Sequence, residues 1–178
     1  MEEKIIIAGF GGQGVVLAGN VLAQTALIEG KNVTAMVSYG VEMRGGTANC
    51  TVVISDSDIY SPVVDVPSSV IILNQPSFDR FESKIKSNGL AVINKSLIER
   101  EPKRSDIKVL SIPATEIANK MGNTKVANMV LVGAFVKETK IVNLATILDN
   151  LHKFFSKSKQ DLIAINKEAL KKGANFFE

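Results

Sequence analysis

Two short stretches hold the residue types that could bind a ligand. The first is Gly9-Phe10-Gly11-Gly12-Gln13-Gly14, in which Gly9, Gly11 and Gly14 keep the spacing G-x-G-x-x-G. Glycines so spaced let the backbone turn tightly and let a ligand or a partner backbone come close. A helix starting behind them would present free N–H groups and a positive dipole end, a seat for phosphate or carboxylate. The second stretch runs from Ser38 to Gly46. It carries the aromatic Tyr39, the carboxylate Glu42, the guanidinium Arg44, and the glycines Gly40, Gly45 and Gly46. Arg44 offers a planar fork to an anion, and Glu42 can orient it. Each loop also has a plainer reading. The first could be a turn that only packs helix on sheet, and the second an internal Glu42–Arg44 pair that shapes a loop.

The flanking segments must position these loops. Lys4 to Ala8 is apolar and rich in β-branched residues, a buried first strand. Val15 to Ile28 is apolar or small throughout and reads as the helix behind the glycine turn. Asn32 to Ser38 reads as a second strand. Thr47 to Ile54 alternates, with Ala48, Cys50, Val52 and Ile54 inward. In an open α/β sheet, loops at the carboxyl ends of parallel strands share one rim, so the two loops should face each other. No crossover helix fits between Ser38 and Thr47, so those strands are antiparallel or not adjacent.

Further along, Ser69–Leu73, Gly89–Asn94 and Ile107–Ser111 read as strands. Pro76 suits the first turn of a helix through about Lys86. Ala114–Met121 is a short helix closed by Gly122, and Lys125–Lys137 a buried one that carries Asn128, an amide able to satisfy a loop carbonyl. The stripe Leu144, Ile147, Leu148, Leu151, Phe154, Phe155 predicts one helix against the sheet, and Lys159–Ala174 the last. The expectation is a single three-layer α/β/α domain over residues 1–178. It has a mixed, mostly parallel sheet and a glycine-rich first strand–helix turn.

Composition narrows the chemistry. The 178 residues are 46% hydrophobic and 22% charged, with net charge +3, ordinary for a globular protein and too little to argue for nucleic acid. One cysteine excludes an intrachain disulfide and an all-cysteine iron–sulfur cluster from this chain alone, and one histidine makes structural zinc a poor fit. Cys50 reads as a small core residue and His152 as a surface residue. The motifs H-E-x-x-H, G-x-S-x-G and G-x-x-x-x-G-K-[ST] are absent. A nicotinamide fold would want an acid at the end of the second strand; none stands there, and Glu42 falls in the loop.

The uncharged stretch Ile5–Ile28 contains five glycines with Gln13, Asn20 and Gln24, so it does not suit lipid. The start Met1-Glu2-Glu3-Lys4 does not read as a signal peptide, and a cytoplasmic location is expected. Arg80 to Lys108 holds eight Lys or Arg against four acids. That run reads as a solvated surface, or else as a face for an acidic partner such as a ferredoxin or another subunit.

Taken together, the two loops resemble the gamma subunit of 2-oxoacid:ferredoxin oxidoreductases. Ser55-Asp56, Ser61-Pro62 and Asn128-Met129 are similar to further family positions, and the resemblance runs from about Lys4 to Phe176. Phe10 between the first glycines, with the full Ser38–Gly46 loop, looks more like the 2-oxoglutarate and branched-chain types. Pyruvate types more often show Arg in the first loop and Phe-Gly-x-Glu in the second.

The resemblance implies one subunit of an assembly that decarboxylates a 2-oxoacid, with 2-oxoglutarate the favoured substrate, oxidatively to acyl-CoA, with electrons passing to ferredoxin. It implies thiamine diphosphate and iron–sulfur clusters on partner subunits, coenzyme A as co-substrate, and no cofactor in this chain. The partners would be alpha and beta thiamine-binding subunits, with a ferredoxin-like delta subunit as a further candidate. The lone chain would be inactive, with no nucleic-acid or membrane partner, and it could self-associate. Gly9, Gly11, Gly12, Gln13, Gly14, Tyr39, Gly40, Glu42, Arg44, Gly45, Gly46 and Asn128 would then face a ligand or a partner, with no catalytic or metal-binding residue. Competing readings are an indolepyruvate, pyruvate or 2-oxoisovalerate enzyme subunit, a stand-alone flavin or nicotinamide nucleotide-binding protein, and a non-catalytic docking protein.

Overall fold

A computed structural model describes residues 2–40 and 47–177, with the backbone alone at 157–159. Among the described residues six strands form one sheet: β1 (Glu2–Phe10), β2 (Asn32–Tyr39), β3 (Thr47–Ser55), β4 (Ser69–Ile72), β5 (Leu90–Asn94) and β6 (Lys108–Ile112). Their spatial order is β2-β3-β1-β4-β5-β6. β1, β4, β5 and β6 are mutually parallel, while β3 runs antiparallel between β1 and β2. The short Ser38–Thr47 connection therefore makes an antiparallel neighbour, as its length requires.

Alternate residues of β1 enter different cores. Ile5 and Ile7 join the larger cluster, with Cys50, Val52 and Ile54, while Ile6 and Ala8 join the smaller one. The helices are unequally shared between the faces. The larger cluster draws on α1 (Val15–Ile28), α3 (Ala114–Lys120), α4 (Ala127–Thr139), α5 (Leu144–Asn150) and α6 (Ile163–Ala174). The other face has the short α2 (Gln75–Phe81) and the 3-10 turn Glu82–Lys84, placing Phe78, Phe81 and Ile85 on Val70, Ile72 and Ile93. Asn74 caps α2 by accepting from the Ser77 N–H at 3.0 Å, with Pro76 in the first turn.

Three predicted helices are shorter than their apolar spacing suggests. α2 gives way to the 3-10 turn well before Lys86. The stripe after Leu144 breaks at Asn150 into a 3-10 turn, Leu151–Phe154, and Phe155 is extended. Gln160 Nε2 donates to the carbonyls of His152, Phe155 and Ser156, which replaces the lost helical bonds. Another 3-10 turn, Lys157–Leu162, precedes α6. Two glycines set how α6 lies. A Cβ at Gly133 of α4 would overlap the Leu170 carbonyl, and one at Gly173 of α6 would overlap the Val130 carbonyl. These helices cross backbone to backbone.

Within the basic run, Arg100 pairs with Asp79 at 2.6 Å and Glu82 at 2.7 Å, Lys95 with Glu101 at 2.7 Å and Lys108 with Glu138 at 2.6 Å. Arg104 pairs with Asp106, and with Ser87 it holds that carboxyl well below the usual carboxylate range. Among the described residues no helix is long and apolar enough to cross a membrane.

Candidate functional site

The glycine turn joins β1 to α1 at the carboxyl rim of the sheet. The Gln13 N–H donates to the Phe10 carbonyl at 3.1 Å to close it. Gly14 caps α1 in the left-handed region, φ 75°, without a side-chain cap, and no acid stands in the first turn. The first-turn N–H groups therefore have no carboxylate or hydroxyl of this helix aimed at them.

Each glycine has its own reason. Gly9 is a packing glycine: a Cβ there would stand 2.7 Å from Gln13 Oε1 and 3.1 Å from Leu73 Cβ. Gly14 needs its positive φ and also the space, because a Cβ would overlap Asn128 Nδ2. Gly12 falls between the spaced positions, yet the turn needs it as a glycine too, because its φ is 93°. Gly11 has nothing within 4 Å of an added Cβ.

Gln13 and Asn128 hold the turn. Gln13 Oε1 accepts from the Phe10 N–H at 2.7 Å and from Asn74 Nδ2 at 2.9 Å, tying the loop to the end of β4. Asn128 Nδ2 donates to the Gly14 carbonyl at 3.0 Å. The amide at 128 thus satisfies a loop carbonyl, the role its type suggested.

A cleft of about 530 Å³ opens beside the turn. Phe10, Gly11, Gly12 and Gly14 line it with Val15, Val16 and Leu17 of α1. Tyr39 and Ala48 close one side, opposite one another in the β2–β3 register. The rim argument thus holds for Tyr39, which meets the first loop across the cleft. Gly9 and Gln13 are not among the lining residues, and Gly40 instead packs near Thr47. Glu42, Arg44, Gly45 and Gly46 lie outside the described residues.

The sequence reading missed the far wall. Asn123, Lys125, Val126 and Asn128 come from the 3-10 turn Thr124–Val126 and the start of α4, and Phe155, Leu162 and Asn166 from the broken C-terminal helices. Lys125 is exposed and is the cation lining this cleft among the described residues. Only its place one turn before Asn128 could have pointed to it. An apolar pocket with helix N–H groups and a cation suits a ligand with an anionic part and an apolar or ring part.

Cys50 is not among the residues that line the cleft. It is fully buried under α1, where a Cβ at Gly19 would overlap its sulfur, and burial pushes its thiol up to about 11. His152 is exposed, its Nδ1 3.1 Å from the Asp149 carbonyl oxygen.

Residues 4–176 match the family described as Pyruvate ferredoxin/flavodoxin oxidoreductase. The chain belongs to this family. It is 36% identical over 177 residues to ketoisovalerate oxidoreductase subunit VorA of Methanothermobacter marburgensis, which covers 98% of the chain but only 36% of that relative. The chain thus spans about a third of the VorA length. It is 34% identical over 174 residues to 2-oxoglutarate synthase subunit KorC of Methanocaldococcus jannaschii, covering 94% of this chain and 92% of KorC.

Among solved structures, the keto/oxoacid ferredoxin oxidoreductase gamma subunit of Geobacter sulfurreducens matches with TM-score 0.82 and 26% identity, over 97% of this chain and 96% of that one. A chain of the Magnetococcus marinus 2-oxoglutarate:ferredoxin oxidoreductase, solved with 2-oxoglutarate, coenzyme A and succinyl-CoA bound, matches with TM-score 0.88 and 25% identity, over 99% of this chain and 32% of that chain. The resemblance to gamma subunits drawn from the two loops is borne out, and so is the mixed α/β fold.

Proposed function

We propose that this chain acts as the gamma subunit of a 2-oxoacid:ferredoxin oxidoreductase and that its cleft completes the active-site wall, seating the anionic part of coenzyme A or of the 2-oxoacid. The observation that carries this is the uncapped start of α1 facing the cleft that Lys125 also lines. An anion there would meet main-chain N–H groups, a helix dipole and an ammonium. Phe10, Val126 and Phe155 offer apolar surface beside them. Glu42 and Arg44 enter the proposal from sequence alone, as a second polar loop on the same rim.

The redox groups of such an enzyme do not fit this chain's donors. Its one cysteine is buried, and among the described residues no cluster of three or more His, Cys, Asp or Glu could hold a metal. Thiamine diphosphate and the clusters are assigned to partner alpha, beta and ferredoxin-like subunits. Thiamine diphosphate supplies the decarboxylation chemistry there, and this chain's part is to bind, orient and exclude water. 2-Oxoglutarate is the substrate we favour, on the KorC identity together with Phe10 and the full second loop. The VorA identity favours a branched 2-oxoacid as the second reading.

The test is co-production with the partner subunits and an assay of coenzyme A-dependent ferredoxin reduction by 2-oxoglutarate, 2-oxoisovalerate and pyruvate. We expect activity to need this chain and to be highest with 2-oxoglutarate. Partner subunits that turn over equally well without it would contradict the proposal.

A further inference from the structure

The side-chain amide oxygens that line the cleft are paired, with one exception. Asn128 uses both ends of its amide, Nδ2 on the Gly14 carbonyl at 3.0 Å and Oδ1 on the Met129 N–H at 2.9 Å. Asn123 Oδ1 accepts from the Lys125 N–H at 3.0 Å. Asn166, in the first turn of α6, is only 4% exposed, and its Nδ2 donates to the Leu162 carbonyl at 2.7 Å. That bond fixes which way the amide points, because a flipped amide would set Oδ1 against a carbonyl oxygen. Among the described residues nothing donates to Asn166 Oδ1. Thr34 Oγ1 is the one buried side-chain atom among them with neither a partner nor access to solvent. Asn166 Oδ1 therefore keeps an opening, and the space that Asn166 borders is the cleft.

We propose that Asn166 sets the specificity of this cleft, its Oδ1 accepting a hydrogen bond from a neutral N–H of the bound ligand. This rests on the reading that the cleft seats an anion, and adds what else that anion must carry. The N–H groups at the start of α1 and the Lys125 ammonium are donors, which meet ligand oxygens. A buried acceptor in the same wall discriminates in the other direction, because a ligand without an N–H leaves it desolvated and unpaired. An ionised 2-oxoacid has only oxygen acceptors and cannot satisfy Oδ1. Coenzyme A can, from either of two places, the exocyclic amine of its adenine or the amides of its pantetheine arm. Tying the start of α6 needs less than an asparagine. The hydroxyl of Asn166→Ser would reach the same Leu162 carbonyl, four residues back, and leave no amide oxygen in the cleft. The tie explains Nδ2, and the ligand explains Oδ1.

The test uses the reconstituted complex with wild-type chain, Asn166→Ser and Lys125→Ala. The KM is measured for coenzyme A and for the 2-oxoacid, with the inhibition constants of adenosine bisphosphate and phosphopantetheine, the two halves of coenzyme A. Asn166→Ser should raise the KM for coenzyme A about five- to tenfold and leave that for the 2-oxoacid at its wild-type value. One half alone should lose inhibition by the same factor, which identifies the donor as the adenine amine or a pantetheine amide. A denaturant melt checks that the hydroxyl keeps the tie to Leu162. If Asn166→Ser does not fold, Asn166→Thr, with the same hydroxyl, is read in its place. A wild-type KM for coenzyme A in the folded variant, beside a raised KM in Lys125→Ala, would overturn this inference and leave the proposed function standing. Wild-type values in both variants would overturn both. A raised KM for the 2-oxoacid, equal weakening of the two halves, or weakening of neither would overturn the role of Asn166.

Discussion

Asn128 and Gly14 are joined across 114 residues by one hydrogen bond, Asn128 Nδ2 to the Gly14 carbonyl at 3.0 Å. That carbonyl also accepts from the Ala18 N–H at 3.0 Å. The start of α4 therefore fixes the start of α1, and the two elements form facing walls of the cleft. Asn128→Ala leaves the Gly14 carbonyl one partner, so the stability cost should be about 1 kcal/mol. The loop should loosen more than the global loss implies. Denaturant melts with hydrogen exchange at the Gly11–Leu17 amides check both parts.

The glycines of the turn should separate by mechanism. Gly11→Ala meets open space at a φ outside the left-handed region, and should cost within about 0.5 kcal/mol. Gly12→Ala is strained at φ 93° and should cost about 1–2 kcal/mol. Gly14→Ala adds a clash with Asn128 to the same strain and should cost the most. Urea midpoints of the three variants, measured together, give the ranking. A larger side chain at Gly12 would for this reason be a poor probe of ligand approach, and one at Gly11 is the better probe.

The α4–α6 crossing depends on Gly133 and Gly173. An alanine at either would push a carbonyl-bearing backbone rather than a flexible side chain. Each substitution should cost about 3 kcal/mol, at the top of the usual range for overpacking. Leu162 and Asn166, near the start of α6, should shift with the helix and change the cleft. Thermal melts of both variants test the packing.

Cys50 gives the pH dependence. Its thiol ionises near 9.0 when unfolded and is pushed up to about 11 by burial. Between those values the unfolded chain has released a proton that the native one still holds. The contribution is therefore complete below pH 9 and lost as pH rises toward 11, at roughly 1.4 kcal/mol per pH unit. Urea melts from pH 8 to 11 should show this slope in the native chain and less of it in Cys50→Ala. A thiol reagent at pH 8 should label Cys50 only after unfolding.

Much of this fold was legible because local signals agreed with tertiary ones. α1 falls on Val15–Ile28 as read, because a positive-φ glycine bounds each end. β3 keeps its period of two from Thr47 to Val52, with Ala48, Cys50 and Val52 inward, but beyond it Val53 and Ser55 are buried as well as Ile54. The broken helices after Leu144 and before Ile163 were not legible. Their apolar spacing is helical, and the break depends on Gln160 reaching carbonyls in another turn. The cleft was half legible for the same reason. The glycine turn and Tyr39 announce themselves, whereas Lys125, Phe155 and Asn166 reach the site only through the packing of α4 and α6.

The central claim is that the cleft beside the glycine turn seats an anion in the assembled oxidoreductase. The direct measurement is the KM for coenzyme A and for the 2-oxoacid in the reconstituted complex carrying Lys125→Ala, beside a melt of the variant. Lys125 is exposed, so its removal should leave the melt within about 0.5 kcal/mol. Loss of its contact to an anion should cost about 1 kcal/mol, raising one of the two KM values roughly fivefold with assembly unchanged. Wild-type KM values for both substrates, in a complex that assembles fully, would contradict the account.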